Sequence, residues 1–280
     1  MEEIFPDQIF SQTIPERKEL LLKSIVAEEA ESFSPIFDGV VSFRFDKENH
    51  TQNTWENFKR EIKNENRYHI KNALNLSMLE KQFSKSEVSH TIPQGAIYYR
   101  ARISEKQGFG INEMGNPPAD KTKAGRANPA GISYLYVADQ LETTLYEARA
   151  SLLDFVTIGE FQAEEALNVL NLRDNTSLDL FRWAESEEIE MYLFIFKLQE
   201  ELSKPYRNND QEIDYIPTQY ICEFIKSLGY DGVEYRSSLF ENGYNLAIFK
   251  PGKLSCVNTQ VREIKGIDYQ HTAHNSDNPF

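Results

Sequence analysis

GRANPAGISYLYVADQLETTLYEARA, residues 125–150, is the stretch on which the reading of the chain turns. It opens on a turn rich in Gly, Asn and Pro and runs into ISYLYV (132–137), whose composition predicts a strand. DQLETTLYEARASLL follows and predicts a helix, with Asp139 as N-cap and Glu142 completing a capping box. Leu141, Leu145, Ala148 and Leu152 form an apolar stripe at helical spacing, which points Glu147 away toward solvent or a cleft. Tyr134 and Tyr136 alternate along the strand and share a face, as core residues or as a surface on which a flat ring stacks. Arg126 sits on the turn, where a guanidinium can fork onto phosphate oxygens or pair with a surface carboxylate.

Outward from this stretch the pattern is mixed. AIYYRARIS (96–104) alternates like a strand, and a loop rich in Gly, Pro and Asn occupies 110–131. FVTIGEFQA and LNVLNL predict further strands, 176–204 and 214–228 helices, GVEYR (232–236) and YNLAIF (244–249) strands, and 255–265 an edge strand. Before residue 85 the signals are helical, over 14–35 and 54–84, and the polar KSEVSHTIPQG (85–95) marks a boundary. The expected organisation is a helical N-terminal segment over 1–90, serving regulation or docking. An α+β domain over 91–268 and a tail over 269–280 complete it.

A net charge of −14 argues against general nucleic-acid binding, which needs clustered Lys and Arg to neutralise phosphates. The exception is 91–133, where Arg100, Arg102, Lys106, Lys121, Lys123 and Arg126 outnumber three acidic residues. A locally basic, Gly- and Pro-containing segment in an acidic protein suits a small anionic ligand better than a long polyanion, the alternative being a solvated loop. Two cysteines, Cys222 and Cys256, form neither a disulfide framework nor a zinc motif, so a reducing cytoplasm is the expected compartment and no metal is expected. No apolar run is long enough to span a membrane.

YRSSLFENGYN (235–245) places Ser237 and Ser238 just beyond a strand, where hydroxyls commonly cap turns. A nucleophilic serine needs a histidine base, and all five histidines lie at or before residue 90 or in the tail, so a Ser-His-Asp triad is disfavoured. Walker, GxGxxG, GxSxG and HExxH fingerprints are absent. Arg44-x5-His50 matches a ribonuclease spacing only weakly, on a segment that is not convincingly helical.

In combination, the YRAR opening (99–102), GR-x-N-P-x-G (125–131), the YLY strand (134–136), the helix bearing Glu147, and Y-R-S-S followed by Asn245 and IFKP resemble the RES family. The resemblance runs over about residues 95–252. It implies a compact ADP-ribosyltransferase-like fold and an enzyme that degrades NAD⁺ as a phosphorylase or glycohydrolase, with NAD as substrate and no cofactor. It also implies a bacterial toxin or defence effector held by an antitoxin or another regulatory protein. Carried over residue by residue, Arg126, Glu147 and Ser237 are the expected catalytic residues. Arg100, Arg102, Tyr136, Ser238 and Asn245 are the expected ligand-binding ones, Ser238 being the alternative to Ser237. Ala127 stands where the family often has Trp, and Arg236 precedes the serine where Pro is common. The other readings are a mono-ADP-ribosyltransferase acting on a protein and a non-catalytic binding module. Inorganic phosphate is a possible co-substrate, and a homo-oligomer is possible.

Overall fold

Strands with apolar residues on both faces must be covered on both faces, and this sets the architecture. The structure, a computed structural model, describes residues 52–70, 74–85, 88–173, 186–205 and 211–267. Its strands are β1 (Ser89–Ile92), β2 (Ile97–Ser104), β3 (Leu135–Ala138), β4 (Phe155–Ala163), β5 (Leu167–Leu172), β6 (Gly232–Arg236), β7 (Tyr244–Ile248) and β8 (Leu254–Glu263). They form one sheet in the order β1-β5-β6-β7-β3-β2-β4-β8. β5 and β6 pair parallel, whereas the other neighbours are antiparallel. The helices are α1 (Gln52–Arg60, continued by a π turn over Glu61–Glu65), α2 (Leu76–Phe83), α3 (Leu141–Ala148), α4 (Ser186–Ser203) and α5 (Glu212–Ser227). The parallel β5–β6 step contains α4 and α5, the long crossover that parallel strands require.

Alternation along β6 and β7 divides the core. Val233, Tyr235 and Ala247 join the helices in one buried cluster, and Leu246 and Ile248 join Val137 and Val169 in the other. On α4, Met191, Phe194, Ile195, Leu198 and Leu202 follow the spacing of one helical face, and all are buried. Trp55 and Phe58 on α1 belong to the same cluster. The Trp55 ring meets Phe194 edge-on at 5.0 Å, and Phe58 lies 5.8 Å from Tyr220. Lys63 Nζ reaches Asp214 Oδ1 at 2.7 Å, tying the π turn to α5. The described part of the region before residue 90 is thus packed against the helices that cover the sheet.

Several local expectations differ from what is observed. The stretch 85–95 holds β1, which pairs with β5 and buries Ile92. Its four residues are too few for a period to show. Asp139 does not cap α3. The N-cap is Gln140, with no side-chain cap hydrogen bond, and the Asp139 carboxylate is engaged by β7. The buried residues of α3 are Thr143 and Thr144 rather than the leucine stripe. The helix ends at Arg149, whose φ is 52°, so Leu152 falls beyond it and is exposed. Two short turns docked on β2 and β3 leave no room for a long apolar stripe. Tyr134 precedes β3 and is core, its ring 4.8 Å from Phe249. The predicted helix over 14–35, Arg44, His50, and the tail over 269–280 lie outside the described residues.

On the sheet face opposite α4 and α5, Glu234 is fully buried. Its Oε2 contacts His90 Nδ1 at 2.9 Å and Arg173 Nε at 3.4 Å. These partners fix β6 to β1 and to the end of β5. Phe58→Ala is expected to cost about 3–5 kcal/mol in urea unfolding, because it opens a cavity between α1, α4 and α5. A cost below about 1 kcal/mol would show that α1 is not part of the core.

Candidate active site

β2 pairs with β4 along its whole length but meets β3 at one position, Tyr99↔Ala138. Beyond that point the two strands part, and a cavity of about 280 Å³ lies beside the gap. Tyr99, Arg100 and Ala101 line it from β2, Tyr136, Val137 and Ala138 from β3, and Thr144, Glu147 and Ala148 from α3. Tyr235 on β6 and Asn245 on β7 complete the wall.

Glu147 is the centre of its hydrogen bonding. Ser237 Oγ donates to Glu147 Oε1 at 2.7 Å, and Asn245 Nδ2 donates to the same oxygen at 2.8 Å. Ser237 Oγ in turn accepts from the backbone N–H groups of Leu239 (3.2 Å) and Phe240 (3.3 Å). Its proton and both lone pairs are therefore engaged, as in a turn-forming serine, and it orients Glu147 rather than standing free to attack. The loop after β6 is pinned to α3 by the stack of Phe240 on Tyr146, centroids 5.3 Å apart. Ser238 is exposed and does not line the cavity.

Arg100 supplies the positive charge. Its Nη1 is buried and has no hydrogen-bond partner among the described residues. Burial, reinforced by the nearby Arg102, lowers its pKa to about 10, so it remains a cation at neutral pH. A buried guanidinium nitrogen without an acceptor, beside a cavity, is matched to an anionic ligand.

The other arginines lie elsewhere. Arg102 sits over the Phe109 ring at 4.3 Å and donates to the Glu113 carbonyl, and it does not line the cavity. Arg126, expected to fork onto phosphate, donates from Nη1 to Glu201 O (3.3 Å) and from Nη2 to Pro205 O (2.9 Å). These carbonyls mark the C-terminal end of α4, where a cation is favoured by the helix dipole. Arg126 does not line the cavity, though its charge opposes the upward shift of the Tyr235 phenol, which burial dominates.

The loop around Arg126 nevertheless builds the site through Tyr136. Tyr136 OH donates to Asn128 Oδ1 at 2.6 Å, and Asn128 Nδ2 donates to the carbonyls of Lys123, Pro129 and Ile132. From α5, Gln219 Nε2 donates to Gly125 O and Asn128 O, and Thr218 Oγ1 donates to Arg126 O. A Cβ on Gly125 would lie 2.6 Å from Asn128 Oδ1 and 3.0 Å from the Tyr136 hydroxyl, so only glycine permits this approach. Burial holds the Tyr136 phenol well above its usual pKa, and its ring forms the cavity wall. Tyr235 and Tyr99 also line the cavity without having been singled out from the sequence; the signal for Tyr235 was its period-two offset from Ser237.

Among the described residues, no group of three or more His, Cys, Asp or Glu is placed to hold a metal, and no helix is long and apolar enough to cross a membrane. Tyr136→Phe is expected to cost about 1–3 kcal/mol in urea unfolding, since Asn128 loses its donor. Faster hydrogen exchange over 123–132 should accompany it; wild-type stability and protection would show that the hydroxyl does not anchor the loop.

Comparison with known proteins adds three findings. The profile of the RES domain matches residues 97–266. A search of curated proteins finds no match. Among solved structures, a chain of the M. tuberculosis MbcT–MbcA toxin–antitoxin complex is 15% identical, with 67% of this chain and 91% of that chain covered at a TM-score of 0.39. The matched segment spans more than half of the chain and contains every residue lining the cavity, and the protein belongs to the RES-domain family.

Proposed function

We propose that this protein cleaves the bond between nicotinamide and ribose in NAD⁺, as a phosphorylase or a glycohydrolase. One observation carries the proposal: a carboxylate oriented by two donors, Ser237 and Asn245, beside a cavity lined by Arg100, whose buried guanidinium nitrogen has no hydrogen-bond partner among the described residues. When the C1′–N bond breaks, the pyridine ring leaves with the bonding pair and positive charge develops on the ribose. An anionic Glu147 stabilises that charge as it forms. Arg100 holds the pyrophosphate or, in a phosphorylase, the attacking phosphate, by charge-assisted hydrogen bonds. Tyr136 offers a ring for the nicotinamide or ribose to pack against, and Ser237 acts by position. At about 280 Å³ the cavity is at the lower end of small-molecule sites, which suits the nicotinamide riboside half of the dinucleotide better than the whole.

With phosphate as acceptor, its oxygen bonds to C1′ and the products are nicotinamide and ADP-ribose-1-phosphate. With water, a proton is released and the products are nicotinamide and ADP-ribose. NAD⁺ loss on this scale would make the protein a toxin or defence effector in the cytoplasm, with an antitoxin or other regulatory protein as its partner. Incubation of the purified protein with labelled NAD⁺, with and without phosphate, identifies the acceptor from the products, while label retained on protein would favour a transferase. Glu147→Gln is expected to lower kcat by about 10²–10³ with the melting temperature nearly unchanged. Full NAD⁺ consumption by that variant would refute the assigned chemistry.

A further inference from the structure

Glu147 and its two donors lie on separate elements, so something must fix the distance between α3 and the 237–245 segment. The structure assigns this role to Asp139: we infer that it is a positioning residue for Glu147, acting in the reaction proposed above and resting on that reading. Asp139 follows β3, and its backbone N–H donates to Tyr244 O at 3.2 Å. Its Oδ1 accepts from Tyr244 N at 3.0 Å and from Thr143 Oγ1 at 3.3 Å. One carboxylate oxygen thereby joins the first residue of β7 to the first turn of α3. Thr143 is fully buried, and Glu147 stands one helical turn further along the same helix.

The other side of the clasp is equally close. A Cβ on Gly243 would lie 2.4 Å from Thr143 Oγ1 and 2.9 Å from the Phe240 ring, so the chain passes α3 at a separation only glycine allows. Gly243 O accepts from Ser237 N at 2.9 Å, and Asn245 follows Tyr244 on β7. Both donors to Glu147 Oε1 therefore hang from residues 243–245, the segment that Asp139 and Thr143 hold against α3. Asp139 does not line the cavity, so its effect on chemistry passes through the geometry of Glu147.

What matters at Asp139 is an acceptor in the right place, and this separates the variants. Asp139→Ala removes the acceptor, and a misplacement of order 1 Å can cost up to about 100-fold in rate. The expected result is a kcat lower by about 10- to 100-fold with KM for NAD⁺ within about twofold of wild type. Asp139→Asn keeps an oxygen facing Tyr244 N and Thr143 Oγ1 and loses only the exposed bond from Gln140 Nε2, so it should restore kcat to within about threefold. Thr143→Val, nearly isosteric, should lower kcat in the same direction, and should add little to Asp139→Ala because both remove one clasp. If Asp139→Ala does not fold, the Thr143→Val and Asp139→Asn variants decide the matter. A wild-type kcat in Thr143→Val, a change confined to KM, or an Asp139→Asn variant as impaired as Asp139→Ala would each overturn the inference.

A double-mutant cycle in urea unfolding judges the clasp without turnover. Ser237→Ala should cost stability in the wild-type background and distinctly less in Asp139→Ala, where the Ser237–Glu147 bond is already loosened. Equal costs in both backgrounds would overturn the inference. Wild-type protein that leaves NAD⁺ intact would refute the proposed reaction, and the cycle would still report whether Asp139 sets the distance between Glu147 and its donors.

Discussion

A single oxygen, Glu147 Oε1, is where three remote parts of the chain meet: the short helix after β3, the turn after β6, and the strand β7. A carboxylate on an exposed helix face is normally free to rotate among rotamers and to be solvated. Two donors on one of its oxygens remove that freedom and leave the rest of the group open to the cavity. Such preorganisation is what electrostatic catalysis requires, because the dipoles need no rearrangement when charge develops. The surrounding architecture can be understood as what keeps those three parts in register.

The sheet does most of this work. β7 pairs with both β3 and β6, so the elements carrying Tyr136, Tyr235 and Asn245 are neighbours in one hydrogen-bonded ladder. β2 and β3 pair at a single position, and the cavity uses the gap that this leaves. Covering on both faces makes the support stiff, since close-packed interiors resist small displacements. α1 and α2 contribute to that covering, so the described residues of these two helices support the sheet through packing.

The two arginines divide the electrostatic work according to their surroundings. Arg126 satisfies carbonyls at the end of α4, where its charge complements the helix dipole, and its loop supports Tyr136 through Asn128. Arg100 is enclosed beside the cavity with a nitrogen that is unsatisfied among the described residues, an arrangement whose cost a bound anion would offset. Arg100 lies within a strand and Arg126 on a turn, but both carry the same charge, and the acceptors around each guanidinium set their roles.

What the sequence by itself determined is the local pattern and the cast of residues. Glu147, Ser237, Asn245, Tyr136 and Arg100 were singled out together by the resemblance to the RES family, whereas seven of the eight described strands carried alternation or β-rich composition and the region of α4 read as helical. These signals survive because they depend on neighbours two to four residues away, which any reading of the chain contains. Tertiary structure alone decided that β1 exists, that Thr143 and Thr144 face inward on α3, that Ser237 and not Ser238 meets Glu147, and that Asp139 serves β7 rather than capping its own helix. Each of these is a choice of partner for a short element or a polar group, and the partner lies tens of residues away in the chain. Hydrogen-bond donors and acceptors are chemically alike wherever they occur, so their pairing is set by which of them packing brings within reach.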